Sequence, residues 1–169
     1  MPPTYASDTA VPVEKSKEEI ARLLRQWGCI GLQWTENWKQ SNAQLRFCWP
    51  HNGVEYIVRL SLVFPTDAEM ERTCTIRHKT RDARLAWLDK EREQTARAIY
   101  RIVLIKLKAD FNMVSAKMAT VVEVFLPFLE DAQGRTVAEI ATPRLPELLG
   151  PDGGQRLFPP PGATTAPSR

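Results

Sequence analysis

The chain is 169 residues long, 43% hydrophobic and 25% charged, with a net charge of +3. That is enough apolar material for one packed domain with tails, and no apolar run approaches the roughly 18 residues that a membrane-spanning helix requires. Cys29, Cys48 and Cys74 are odd in number and widely spaced with no CxxC pair, and together with only His51 and His78 they speak against a metal or redox role.

The positive charge is localised. Residues 72 to 117 hold twelve Lys or Arg against five Asp or Glu, while both flanks are slightly acidic. A basic stripe of this kind marks either a polyanionic partner or a solvated helix face.

Residues 1 to 13 are polar with three prolines and read as a flexible arm. They lack the basic-then-apolar order of a secretory signal, so a cytoplasmic location is expected. In KSKEEIARLLRQWG, Ser16 and Glu19 have the spacing of a capping box. Ile20, Leu23, Leu24 and Trp27 follow on one helical face, with Gly28 at a C-terminal cap. The pattern predicts a helix over about 17–27.

The period then changes to two. Ile30, Leu32 and Trp34, then Leu45, Phe47 and Trp49, then Tyr56, Val58, Leu60 and Leu62 alternate as three strands. NWKQSN and PHNG separate them, and Asn52-Gly53 is a hairpin signal. An antiparallel meander with one buried face follows, with Trp34 and Trp49 on the buried side. From Thr66 to Arg84 no period persists, and the segment reads as a basic loop.

Thr80 or Asp82 is placed to cap the next helix, with Leu85 and Leu88 in its first apolar turn. Asp89 to Leu129 is the most apolar stretch, and Ala96, Ile99, Val103, Leu107 and Phe111 recur at helical spacing. A bend is expected near Asn112, then a second helix capped by Ser115, with Met118, Val121, Val122, Phe125 and Leu129 on its face and Pro127 ending or kinking it. Gln133-Gly134 predicts a tight turn before a short helical piece, and PRLPELLG another apolar turn. From Gly150 the chain is rich in Pro, Gly, Ser and Thr, a composition that reads as a disordered tail.

The predicted architecture is α+β: an N-terminal helix, a three-stranded antiparallel sheet, a long central helix and a second helix packed on it. The domain spans 14–148, including the basic loop 66–84, between an arm over 1–13 and a tail over 149–169. Three stretches, VPVEKSKEEIARLLRQWG at 11–28, YRIVLIKLKADFNMV and FLPFLEDAQGRTVAEI, together with the closing PPPG, resemble a group of small bacteriophage and prophage proteins with no assigned activity. The resemblance implies a viral or prophage origin in a bacterial cell and transfers no site residues.

Catalytic signatures are absent: no GxSxG, HExxH, P-loop or GxGxxG pattern occurs. Glu123, the one acid embedded in an apolar run, reads as a solvent-facing helix position. No cofactor is implied, and binding is favoured over catalysis. The leading expectation is an accessory protein acting through a protein interaction surface or self-association, with Leu85, Trp87 and Leu88 as the candidate surface. The alternative is binding of DNA or RNA phosphates through the basic segment 72–108, using Arg77, Lys79, Arg81, Arg84, Arg92 and Lys108. The order helix, three antiparallel strands, helix is also that of a double-stranded RNA-binding domain, but the lysine-rich helix start of that domain is missing and the loop is too long.

Overall fold

A computed structural model describes residues 6–75 and 80–149. The order is α1 (Val13–Gln26), β1 (Gly31–Asn37), β2 (Asn42–His51), β3 (Val54–Val63), α2 (Asp67–Thr73), α3 (Arg81–Ser115), α4 (Val121–Phe125), α5 (Val137–Ala141) and α6 (Leu145–Leu149). The α+β architecture with a long central helix is therefore the one the periodicities predict.

Helix α1 starts earlier than its capping box suggests. Pro12 is the N-cap in an extended conformation, and the Ser16 amide donates to Pro12 O at 3.2 Å, so Ser16 lies inside the helix. It is fully buried on the face of Ile20 and Leu24. Packing explains the shift: four residues separate Ser16 from Ile20, so the surface that buries one buries the other. Glu19, freed from capping, turns to Arg101 and Lys108 of α3. The far end matches expectation. Gly28 has φ +82°, its amide donates to Arg25 O, and Cys29 donates to Leu24 O at 3.0 Å, the paired bonds of a Schellman cap.

The sheet is the expected meander, in order β1-β2-β3. Asn52 and Gly53 both take positive φ, as a two-residue hairpin turn requires. Ala43, Leu45 and Phe47 of β2 and Val58, Leu60 and Leu62 of β3 form one buried face. Trp34 shares that side and is half-buried against Tyr100, with ring centroids 5.2 Å apart. Trp49 lies past the core, stacked on His51 at 4.7 Å.

Helix α3 runs without interruption for 35 residues, about 52 Å. Thr80 caps it, its hydroxyl accepting from the Ala83 amide. Tyr100, Val103, Leu104, Leu107 and Phe111 meet the sheet and α1, while Ala96 and Ile99 of the predicted face are only half-buried. Phe111 stacks on Trp27 at 4.5 Å. No bend occurs at Asn112. The helix ends at Ser115, which is its last residue and caps nothing; Lys117 reverses the chain with φ +57°, and Met118 is 75% exposed. The second helix shrinks to the five residues of α4, capped by a Thr120–Glu123 box, with a 3₁₀ turn over Leu126–Phe128 where Pro127 falls. Glu123 is exposed, as its position predicts, and its role is to close that cap.

The expected loop over 66–84 contains α2. Thr66 and Glu69 make a complete capping box, and Met70 is buried. The spacing T-D-A-E carries this signal, but seven residues are too few for a period to show. At the N-terminus, Gln94 Nε2 donates to Ser7 O and Thr9 O at 2.9 and 3.0 Å, tying the described part of the arm to α3. The expected tail beyond Leu149 lies outside the described residues.

The C-terminal segment guards one edge of the sheet. Leu129 bridges Val58, and the Glu130 amide donates to Ile57 O at 2.8 Å. Arg46 and Arg59 are direct cross-strand partners on the face away from the core, a placement that would repel if left alone. The Glu130 carboxylate lies between them, 2.9 Å from Arg46 Nε and 3.1 Å from Arg59 Nε, and Glu139 takes Arg59 Nη2 at 2.5 Å.

Candidate functional site

A groove of about 1060 Å³ lies between the start of α1, the β1–β2 loop, α2 and the middle of α3. Each wall follows from local sequence. The Thr66–Glu69 box starts α2 immediately after β3, which folds Pro65, Ala68 and Met70 over the helix side of the sheet. Asn37 Oδ1 accepts from the Gln40 amide at 3.1 Å and turns the β1–β2 connection, setting Asn37, Lys39 and Ser41 at the rim. Tyr100 and Phe64 lie 6.3 Å apart, and both line the groove.

Three side chains from separate elements converge here. Glu36 Oε1 accepts from Lys17 Nζ at 2.6 Å and from Tyr100 Oη at 2.7 Å. Lys17 Nζ also sits 5.0 Å from the Tyr100 ring centroid and 5.6 Å from that of Trp34, an arrangement in which the ring faces attract the ammonium. The bonds from Lys17 and then Tyr100 hold the Glu36 carboxyl below its ordinary range. Burial, and then the bond to Glu36, push the Tyr100 phenol well above its own. On the opposite wall Arg92 grips Asp67 through Nε at 3.0 Å and Nη2 at 2.5 Å, which lowers the Asp67 pKa.

These shifts have a chemical consequence. Proton transfer near neutral pH needs a group whose pKa lies close to the working pH. Glu36 is driven further from neutrality in its ionised form and Tyr100 further in its protonated form, so the cluster holds fixed charges and dipoles.

The described residues among those expected to bind phosphates do not gather in one patch. Arg77 and Lys79 lie outside the described residues. Arg81 is exposed at the first turn of α3. Arg84 pairs with Glu71, with Nε at 2.6 Å; Arg92 pairs with Asp67 and Asp89; and Lys108 stands 3.6 Å from Glu19. Arg81 and Lys108 are separated by 27 positions of one helix, about 40 Å. Among the described residues of this set, only Arg92 lines the groove. Of the expected interaction surface, Leu85 is 45% exposed, Trp87 is half-buried and Leu88 is buried, as is Met70 of α2; Leu88 therefore acts in packing.

Sequence periodicity does not single out Lys17, Glu36 and Tyr100. They meet only because α1, β1 and α3 fold together, 64 positions separating Glu36 from Tyr100. Among the described residues no group of three or more His, Cys, Asp or Glu is placed to hold a metal ion, and no helix is long and apolar enough to cross a membrane. No protein-family model, no curated protein and no solved structure matches the chain.

Proposed function

We propose that this protein is an accessory factor of phage or prophage type that acts by binding, and that it takes a segment of a protein partner into the groove between α1, the β1–β2 loop, α2 and α3. The phage setting rests on the resemblance of the quoted sequence stretches. The binding mode rests on the groove lining. A groove that tracks a phosphate backbone presents uncompensated cations. Here the lining carboxylates Glu14, Glu36, Asp67 and Glu93 outnumber the cations Lys17, Lys39 and Arg92, and Lys17 and Arg92 are already paired within the protein. Mixed charge over a floor of Tyr100, Phe64 and Met70 suits a polypeptide with apolar anchors and polar flanks better than a polyanion.

The test selects peptides from a random library on the immobilised protein and measures their affinity for the wild type and for Ala68→Trp and Thr95→Trp, which fill the groove at positions that are not buried. Labelled single- and double-stranded oligonucleotides are titrated in parallel at low and raised salt. Peptide binding that the two substitutions abolish, with no salt-sensitive oligonucleotide binding, is the expected result. Oligonucleotide binding that falls steeply with salt and is lost on changing Arg81 and Arg84 to Ala overturns it in favour of a phosphate site.

A further inference from the structure

The two edges of the sheet are treated differently. The β3 edge is covered by Leu129 and Glu130 and locked by the arginine pairs. The outer edge of β1 pairs with nothing among the described residues. Natural sheets protect open edges with lysine, proline, a bulge or a covering segment. Gly31–Asn37 reads GLQWTEN, with no Lys, Arg or Pro, and its one charge, Glu36, is turned inward to Lys17 and Tyr100. Ile30 is 61% and Leu32 40% exposed beside that edge.

We propose that the β1 edge is the interface of a homodimer, in which β1 of a second copy pairs antiparallel with it and extends the sheet from three strands to six across a two-fold axis. The strand is self-complementary in one register. With Leu32 on the axis, Leu32 meets Leu32 of the second copy, Ile30 meets Trp34, and Gly31 meets Gln33. Alternation puts Ile30, Leu32 and Trp34 on one side of the sheet, so this register brings all three apolar side chains of each copy against those of the other. No two like charges face each other along it. A two-fold interface requires such self-complementarity, since one patch must serve both sides.

The charges of α1 select a second copy over an unrelated strand. Helix α1 runs back along β1: Lys17 reaches Glu36 near the end of the strand, and the Schellman turn at Gly28 leads straight into its start. Glu19 faces α3 through Arg101 and Lys108. At 100° per residue, Glu14, Lys17, Ala21 and Arg25 fall on the opposite flank, toward the strand edge, with Glu18 next to Arg25. Lys17 is already paired with Glu36, so the remaining charges of this flank are the acids Glu14 and Glu18 in the first half of the helix and Arg25 in the second, and all three are exposed. Two-fold antiparallel pairing of β1 turns the helices antiparallel as well, and so sets Glu14 and Glu18 of each against Arg25 of the other. Charge complementarity of this kind fixes register and partner choice.

Sedimentation of the full chain over a range of concentrations is the test. The wild type is expected at twice the chain mass at micromolar concentration. Leu32→Lys, which puts two like charges on the axis at a position already partly exposed, weakens the dimer by about tenfold or more. Reversing Arg25 to Glu also weakens it, and adding Glu14→Arg and Glu18→Arg to that variant restores it. This rescue cannot come from a folding defect, and circular dichroism checks the fold of Leu32→Lys. None of these residues except Glu14 lines the groove, so peptide capture by Leu32→Lys is unchanged. A wild-type monomer at every concentration overturns the proposal, as does a dimer that neither Leu32→Lys nor Arg25→Glu weakens.

Discussion

Ser16→Ala separates two accounts of the N-terminal helix because they differ in sign. If Ser16 were the N-cap its spacing to Glu19 suggests, alanine would cost about 1 kcal/mol. In the folded chain Ser16 is 0% exposed and its Oγ has no hydrogen-bond partner. A buried hydroxyl left unsatisfied has lost its water without compensation, a penalty of about 1 kcal/mol or more. Alanine removes that penalty and adds roughly 0.5 kcal/mol of helix propensity, against a smaller loss of contact from the missing oxygen. The expected result is a stabilisation of about 1 kcal/mol, a rise in Tm of about 2–4 °C for a chain of this size. Guanidinium and thermal unfolding measure it. A cycle with Glu19→Ala should show no coupling between the two positions, since Glu19 engages α3 instead. A loss of about 1 kcal/mol on Ser16→Ala, with coupling to Glu19, would refute the placement of the helix start.

Tyr100→Phe keeps the ring and removes the bond to the ionised Glu36, at a cost of about 1.5 kcal/mol, the low end for a charged partner because Glu36 is 26% exposed and can take up water. Because the folded-state pKa of Glu36 lies below its ordinary value of 4.5, this contribution is complete above pH 4.5 and declines as pH falls through the folded value. The gap between wild type and variant should therefore narrow in acid, and a gap that stays constant from neutrality to pH 3 would count against the pair. Glu130→Ala leaves Arg46 and Arg59 face to face on neighbouring strands, with only Glu139 to answer Arg59. Denaturant unfolding should show a loss of about 3 kcal/mol, and a change under 1 kcal/mol would mean that the Glu130 clamp does not hold the C-terminal segment.

The parts of the fold that periodicity can carry were legible. Three alternating runs became three strands, Asn52-Gly53 became the hairpin turn, Gly28 became the cap, and Thr80 began the long helix. Short local signals give way where they compete with packing. Ser16 has the chemistry of a cap and the position of a core residue, and burial with Ile20 and Leu24 prevailed. Ser115 has the chemistry of a cap too, but Thr120 has a glutamate three residues on and makes the reciprocal pair that Ser115 cannot. Helix α2 carried its Thr66–Glu69 box in plain view within a segment too short and too charged to show a period.

By itself the sequence determined which backbone each segment prefers and which faces are apolar, because propensity, alternation and capping act over a few neighbouring residues. It also placed the basic residues in one stretch of chain. Only the tertiary structure decided what most of those charges do, since the carboxylates that neutralise Arg84, Arg92 and Lys108 come from α2 and α1 as well as from Asp89 of α3 itself. The meeting of Lys17, Glu36 and Tyr100, the covered β3 edge and the open β1 edge were likewise decided there. Each depends on distances between residues far apart in the chain, and those distances are set by how the helices pack across the sheet.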